Sequence, residues 1–307
     1  MTAPRQVLPG RTYLITRRCT QRQYLLRPDR RTNRIFLYCL AAAARRCGIR
    51  LLAWTAMSNH YHAIVQDPDA RLPAFLEHFH KLLARVLNVR WGRWENFWST
   101  EQTCAVYLVD AEDVFDKVVY VLANPVVDHL VDRVTDWPGA SSFIYTGGTG
   151  TASIERPREF FRANGPMPER VTLTTVAPEG VDAQEWTDRV REAVAARELA
   201  AREERQHRGI RVVGRKAVLA MSPFDKPTTK APRRNLRPSI ACRNRQRRIR
   251  ELQALKEFRQ RYHRARTLLA AGRRDVLLPL GTYRWRLLGW SCEPPSPLPS
   301  TPVLSAA

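Results

Sequence analysis

Residues 49–65 read Ile49-Arg50-Leu51-Leu52-Ala53-Trp54-Thr55-Ala56-Met57-Ser58-Asn59-His60-Tyr61-His62-Ala63-Ile64-Val65. Ile49 to Met57 is rich in Leu, Ile and Trp, the composition of a strand. Ser58-Asn59 is turn chemistry, because short polar side chains bond to nearby backbone. His60 to Val65 then reads as a second strand, so the stretch predicts a β-hairpin. Residues i and i+2 of a strand share a face. His60 and His62 therefore stand side by side, close enough to grip one metal ion. A pair of exposed or core-edge histidines is the plainer alternative on spacing alone.

The elements on either side extend this hairpin into a fold. Arg11 to Thr16 is a short β-prone segment, and Pro28 to Cys47 is a helix with Ile35, Leu37, Tyr38, Cys39, Ala42 and Ala43 on one broad face. Gly48 follows, where a helix end favours a residue tolerant of positive φ. Beyond the hairpin, Leu72 to Val89 is a second helix with apolar residues at spacings of three, four and seven. Thr103 to Val109 is a further strand. Asp110 caps a third helix, which is expected to stop at Ala123 because Pro125 disfavours helix at Asn124. The order β-α-β-β-α-β matches the ferredoxin-like arrangement. It predicts an α+β fold: an antiparallel four-stranded sheet with helices on one face, plus one added helix.

His78-Phe79-His80 is also H-x-H, but it falls inside the second helix. At about 100° per residue its imidazoles diverge by about 200° and cannot share a metal. Both read as surface or nucleic-acid-facing residues.

The 307 residues carry 51 Lys+Arg against 29 Asp+Glu, a net charge of +22. Such an excess points to a polyanionic partner, most often nucleic acid. Residues 1–150 hold only +6 of it. Arg202–Arg266 holds 21 basic and 5 acidic residues, including Arg233, Arg234, Arg245, Arg247 and Arg248. By contrast, positions 110–136 are acidic, with seven carboxylates against Lys117 and Arg133. The basic segment has two physical options: to clamp a duplex stem through its phosphates, or to fold back on the acidic 110–136 surface. The modest charge of residues 1–150 favours the clamp.

No run of about 18 apolar residues marks a membrane span, and Met-Thr-Ala-Pro-Arg does not read as a signal peptide. The six cysteines show no zinc spacing and read as reduced cytosolic thiols. Gly147, Gly148 and Gly150 suggest a flexible linker. The domain reading is residues 1–145 as a catalytic domain, 146–210 as linker and charged helix, 211–290 as a basic extension, and 291–307 as a disordered Pro/Ser-rich tail.

Tyr120 and Asn124 lie four apart on the third helix and share a face; helix periodicity alone allows a core tyrosine and a capping asparagine. The chain resembles the REP-associated tyrosine transposases, within the HUH nucleases. The matching pieces are Arg18-Cys19, Trp54 through Val65 around Asn59-His60-Tyr61-His62, Tyr120 through Val126, and Asp136-Trp137-Pro138 with Ser141-Ser142. They occur in family order over roughly residues 10–145. Val127-Asp128 stand where members often carry a basic residue.

The resemblance implies that His60 and His62 are metal ligands, that Asn124 completes the site, and that Tyr120 is the nucleophile. It implies cleavage and rejoining of single-stranded DNA near REP-type hairpins through a covalent 5′-phosphotyrosine. Mg²⁺ or Mn²⁺ suits phosphate oxygens, and two imidazoles favour Mn²⁺. No nucleotide cofactor is expected, since the phosphotyrosine keeps the bond energy and no G-x-x-x-x-G-K-[ST] loop occurs. Arg11, Arg17, Arg18, Arg22, Arg93 and Trp98 are candidate DNA contacts, arginines for phosphates and aromatics for unpaired bases. Localisation is expected to be cytoplasmic, at the nucleoid, and the choice of monomer or homodimer stays open. A replication initiator or relaxase, or a binder that lost the chemistry, are the alternatives.

Overall fold

The computed structural model describes residues 4–145, 147, 149–229, 238–283 and 291–294. Within the larger of two compact units, Pro9–Arg248, the expected order is present. It runs β1 (Arg11–Arg18), α1 (Arg30–Cys47), β2 (Arg50–Ala56), β3 (His60–Asp67), α2 (Leu72–Arg90), β4 (Cys104–Leu108) and α3 (Ala111–Val127). Local chemistry sets the ends. The Asp29 side chain accepts from Thr32 N at 2.9 Å to start α1, and Gly48 ends it at φ 66°. Asp110 and Asp113 form a capping box at the start of α3.

The sheet corrects the sequence reading in size and direction. It has seven strands, mixed in direction, in the order β5-β6-β2-β3-β1-β4-β7. The four expected strands lie at its centre in antiparallel pairs. After α4 (Ser142–Tyr145), β5 (Gly150–Glu155) and β6 (Arg170–Thr175) form a hairpin whose β6 meets β2 in parallel at Leu51 and Thr175. The expected linker thus leads straight into a strand. The expected boundary at 145/146 lies inside the compact unit. The physical reason is that bare strand edges leave backbone groups unpaired, and later segments cover them.

The helices also occupy both faces. Tyr61 packs its ring on Phe36 of α1 and Phe79 of α2, with centroids 5.8 and 5.4 Å away. His62, the next residue, meets Tyr120 of α3. Neighbouring strand residues point oppositely, so α3 covers the face that α1 and α2 leave bare. Val114, Val118, Val121 and Leu122 of α3 join Leu52, Ala53 and Ile64 in one buried cluster. Val190 and Val194 of α5 (Ala183–Arg208) belong to the same cluster.

Nor does α3 stop at Ala123. It runs through Pro125 to Val127. Pro125 offers no N–H to the preceding turn, but the helix continues because Asp128 N still reaches Asn124 O at 2.9 Å. Asn124 therefore stays helical, one turn from Tyr120 and on its side.

After α6 (Arg215–Ala220), β7 (Ile240–Ala241) pairs in parallel with Tyr107 and Leu108 of β4. Arg243 N donates to Asp113 Oδ1 at 2.9 Å. Arg243 pairs with Asp116 and Arg247 with Asp110. Arg189 and Arg205 of α5 pair with Glu112 and Asp132 at 3.0 and 2.8 Å. The acidic surface is thus partly neutralised by the chain itself, and this part of the basic segment takes the fold-back position rather than the favoured clamp.

The second unit comprises Met1–Leu8 with Ile249–Ala307. Its helical part belongs to α7 (Arg245–Ala270), with Phe258 and Ala265 buried. Val7 N donates to Gly281 O at 2.9 Å, and Leu278 bridges to Cys292. Arg233, Arg234 and most of the Pro/Ser-rich tail lie outside the described residues.

Candidate active site

Strand pairing builds the site. Thr16 of β1 stands opposite His62 of β3, and Arg18 opposite His60. The two imidazoles converge, with His60 Nε2 and His62 Nε2 3.1 Å apart. Their outer nitrogens are tied down. His60 Nδ1 lies 2.7 Å from Asn59 Oδ1, and His62 Nδ1 lies 2.8 Å from Thr16 Oγ1. A carboxamide oxygen only accepts, so His60 carries its proton on Nδ1 and turns a lone pair inward from Nε2. A hydroxyl both donates and accepts, so Thr16 supports His62 in either tautomer. The metal-free pair can share a hydrogen bond, and the same pair can present two lone pairs.

Burial holds both rings neutral. It pushes His60 down to about 4, helped by the Arg18 guanidinium, and pushes His62 well below the ordinary histidine value, helped by His60. Neutral imidazole is the ligand form.

Tyr120 comes to this pair from α3, which covers the same face of the sheet. Its ring centroid is 5.4 Å from that of His62. The residue remains 43% exposed. Partial burial and the Asp128 carboxylate push its pKa up, while a hydrogen bond from Asn124 pulls it down. The Asn124 side chain is buried, and its Oδ1 has no hydrogen-bond partner. An orphaned carboxamide oxygen and imidazole lone pairs are donor types suited to a divalent cation.

The structure sorts the other candidates. Arg18 lies on the His60 face, 41% exposed and 3.6 Å from Glu101. Arg17 points to the other face and spends its donors on Glu101 O, Thr103 Oγ1 and Ser99 O. Arg22 bonds Thr229, Arg93 bonds Gln23, and Arg11 stacks over Tyr107. Trp98 is corrected to a core residue: it is buried against Tyr61 and His80, and its Nε1 donates to His80 O at 3.1 Å. His80 is corrected likewise. It is buried, and Tyr61 Oη lies 2.6 Å from its Nε2. Arg245 and Arg248 are exposed, whereas Arg247 is held by Asp110. Thr16 and the ring contact of Asn59 escaped the sequence reading. Working out the β1–β3 register would have found Thr16.

Two histidines and one tyrosine are gathered on one face of the α+β sheet. Neither a protein-family model nor a curated protein matches the chain. Among solved structures, the chain is similar to a REP-associated tyrosine transposase bound to a REP hairpin. That match has 20% identity over 52% of this chain and 88% of the other, with a TM-score of 0.41. It is also similar to a candidate transposase from Deinococcus radiodurans R1, at 17% identity over 40% of this chain and 97% of the other, with a TM-score of 0.29. Among the described residues, no helix is long and apolar enough to cross a membrane.

Proposed function

We propose that the protein is a transposase-type enzyme that cleaves and rejoins single-stranded DNA, with Tyr120 as nucleophile. The observation that carries this reading is the convergence, on one face of the sheet, of Tyr120 from α3 with His60 and His62 from β3. Tyr120 Oη attacks phosphorus, the O–P bond forms, and the 3′-oxygen departs as a hydroxyl. The DNA 5′-phosphate is left on the tyrosine. Attack by a second 3′-hydroxyl reverses the step and transfers the strand, so one difficult reaction becomes two easier ones.

His60, His62 and Asn124 would hold Mg²⁺ or Mn²⁺. Once bound, such an ion polarises the phosphoryl oxygens. The chain's own residues do the rest. Asn124 hydrogen-bonds the Tyr120 hydroxyl and favours its anion. Arg18 supplies positive charge beside His60. Exposed Arg245 and Arg248, with Arg233 and Arg234, serve as an accessory grip on a hairpin stem. The substrate is DNA carrying REP-like hairpins, as the sequence resemblance implies.

The test is adduct formation. Wild-type protein incubated with Mn²⁺ and a hairpin-tailed single strand should yield a protein–DNA band on a denaturing gel. Tyr120→Phe should bind the same DNA and yield none. An adduct formed by the Phe variant refutes the assignment.

A further inference from the structure

A groove of about 390 Å³ runs between α5 and the segment that follows α3. Arg133 and Val134 form one wall with Phe143 of α4, and Arg191, Glu198, Leu199 and Arg202 of α5 form the other. At about 100° per residue, positions seven and eleven further along a helix return to within about 20° of the first, so Arg191, Glu198 and Arg202 share one side of α5. Both walls are rooted in the core. Val190 and Val194 of α5 join Val118 and Val121 of α3 in one buried cluster, so α5 stands beside the helix that carries Tyr120. The other wall is tied to the end of β2, where Ala56 N donates to Ala140 O at 2.8 Å and Trp137 Nε1 donates to Ala56 O at 3.0 Å.

Three arginines line this groove against one carboxylate. Glu198 Oε1 accepts from Val134 N at 2.7 Å, so the carboxylate is held against the backbone and pairs with none of the arginines. All three arginines are exposed. Among the described residues none of them has an ion pair, and the Arg133 and Arg202 side chains have no hydrogen bond. Arg191 spends Nη2 on Gly147 O at 3.0 Å and keeps its other donors. Like charges gathered along one groove repel until an anion lies between them. Phe143 and the exposed Leu199 make part of the lining apolar, which strengthens charge pairing there. A guanidinium fork matches phosphate oxygens two at a time. Arg191 and Arg202 are eleven residues apart, or about 16 Å along the helix at 1.5 Å per residue. That span exceeds one phosphate ion and suits a run of phosphates on a chain.

We propose that this groove binds the phosphodiester backbone of the substrate DNA, at two or more phosphates at once. It is a holding site, and none of its residues belongs to the cluster of His60, His62 and Tyr120. Arg133 and Arg202 take phosphates through N–H groups that nothing else uses, and Arg191 through those that Gly147 leaves free. The Glu198 charge opposes phosphate and keeps the grip weaker than three arginines alone would make it. Hairpin stem and single-stranded tail carry the same phosphodiester groups, and separate DNA probes distinguish them. The proposal rests on the DNA-cleaving reading above.

The experiment measures fluorescence-anisotropy binding of labelled DNA to full-length Tyr120→Phe protein over roughly 50 to 200 mM salt. Arg133→Ala, Arg202→Ala, the two together, Glu198→Gln and Arg197→Ala are made in that parent. The probes are a hairpin with a single-stranded tail, the blunt hairpin, and the tail alone. Arg197 is exposed on α5 but does not line the groove, so its variant removes the same charge elsewhere on the helix. Arg133→Ala and Arg202→Ala should each weaken binding of the tailed hairpin several-fold and lower its log–log salt slope by about one, and the double variant by about two. Arg197→Ala should do neither. Glu198→Gln keeps the oxygen that accepts from Val134 N and loses the charge, so it should tighten binding. The probe that reproduces the arginine losses, stem or tail, identifies the DNA in the groove. Arginine variants that behave like Arg197→Ala, or a Glu198→Gln variant that binds no more tightly than the parent, overturn the groove while the functional reading stands. Failure of the parent to bind any probe overturns both.

Discussion

Replacing Thr16 by valine tests whether the outer nitrogens of the histidines govern the site. The Thr16 hydroxyl lies 2.8 Å from His62 Nδ1, and no other hydrogen bond to that nitrogen is seen among the described residues. Valine keeps the branched shape that suits a strand and removes the hydroxyl. His62 Nδ1–H then has nowhere to donate, and the ring keeps its proton on Nε2, aimed at His60 Nε2 3.1 Å away. Partners of this kind contribute about 10- to 100-fold in metal affinity, or about 1.4–2.8 kcal/mol. The lost hydrogen bond itself changes folding stability by only about 1 kcal/mol. Calorimetric titration of Mn²⁺ into wild type, Thr16→Val and Thr16→Ser separates the two effects. The valine variant should bind at least about tenfold more weakly at nearly unchanged urea midpoint, and serine should restore affinity. Equal affinity of Val and wild type, or a serine variant as poor as valine, would show that Thr16 does not set the tautomer.

Further outcomes follow from burial and packing. His60, His62 and His80 are held neutral, the first at about 4 and the last at about 3. The unfolded chain takes up protons near pH 6.5 that the native state refuses. Stability is therefore full above that pH and falls as pH drops toward 4, with a slope approaching about 1.4 kcal/mol per pH unit for each histidine. Urea midpoints at pH 7.5 and 5.5 check this, and His80→Gln should flatten the slope. Trp98→Ala should destabilise by about 3–5 kcal/mol as a core truncation, whereas Trp94→Ala should stay within about 0.5 kcal/mol; thermal melts of the two distinguish core from surface. A Cβ at Gly139 would meet Trp137 Nε1 and lie 2.7 Å from Ala56 O. Gly139→Ala should therefore cost about 1–3 kcal/mol by urea denaturation.

The local pattern of the chain determined much of this protein. Alternation, turn residues and caps placed the first strands and helices within a few residues. The one-residue spacing in His60-Tyr61-His62 put both imidazoles on one face. Those properties depend on neighbours along the chain, so they are legible there. Charge and composition likewise pointed to a polyanion. Tertiary structure decided what depends on residues far apart in sequence. Nothing local says that β5, β6 and β7 extend the sheet, because an exposed strand edge accepts any chain that reaches it. Pairing register, not spacing, brought Thr16 under His62. The same H-x-H pattern in α2 gave a buried His80, because one face of that helix packs on the sheet while charge counts treat all histidines alike. Arg17 and Arg18 are adjacent and chemically identical, yet one spends its donors inside the fold and the other faces the site. That difference is a matter of which side of β1 each occupies, and only the packed helices on the two faces give those sides their meaning.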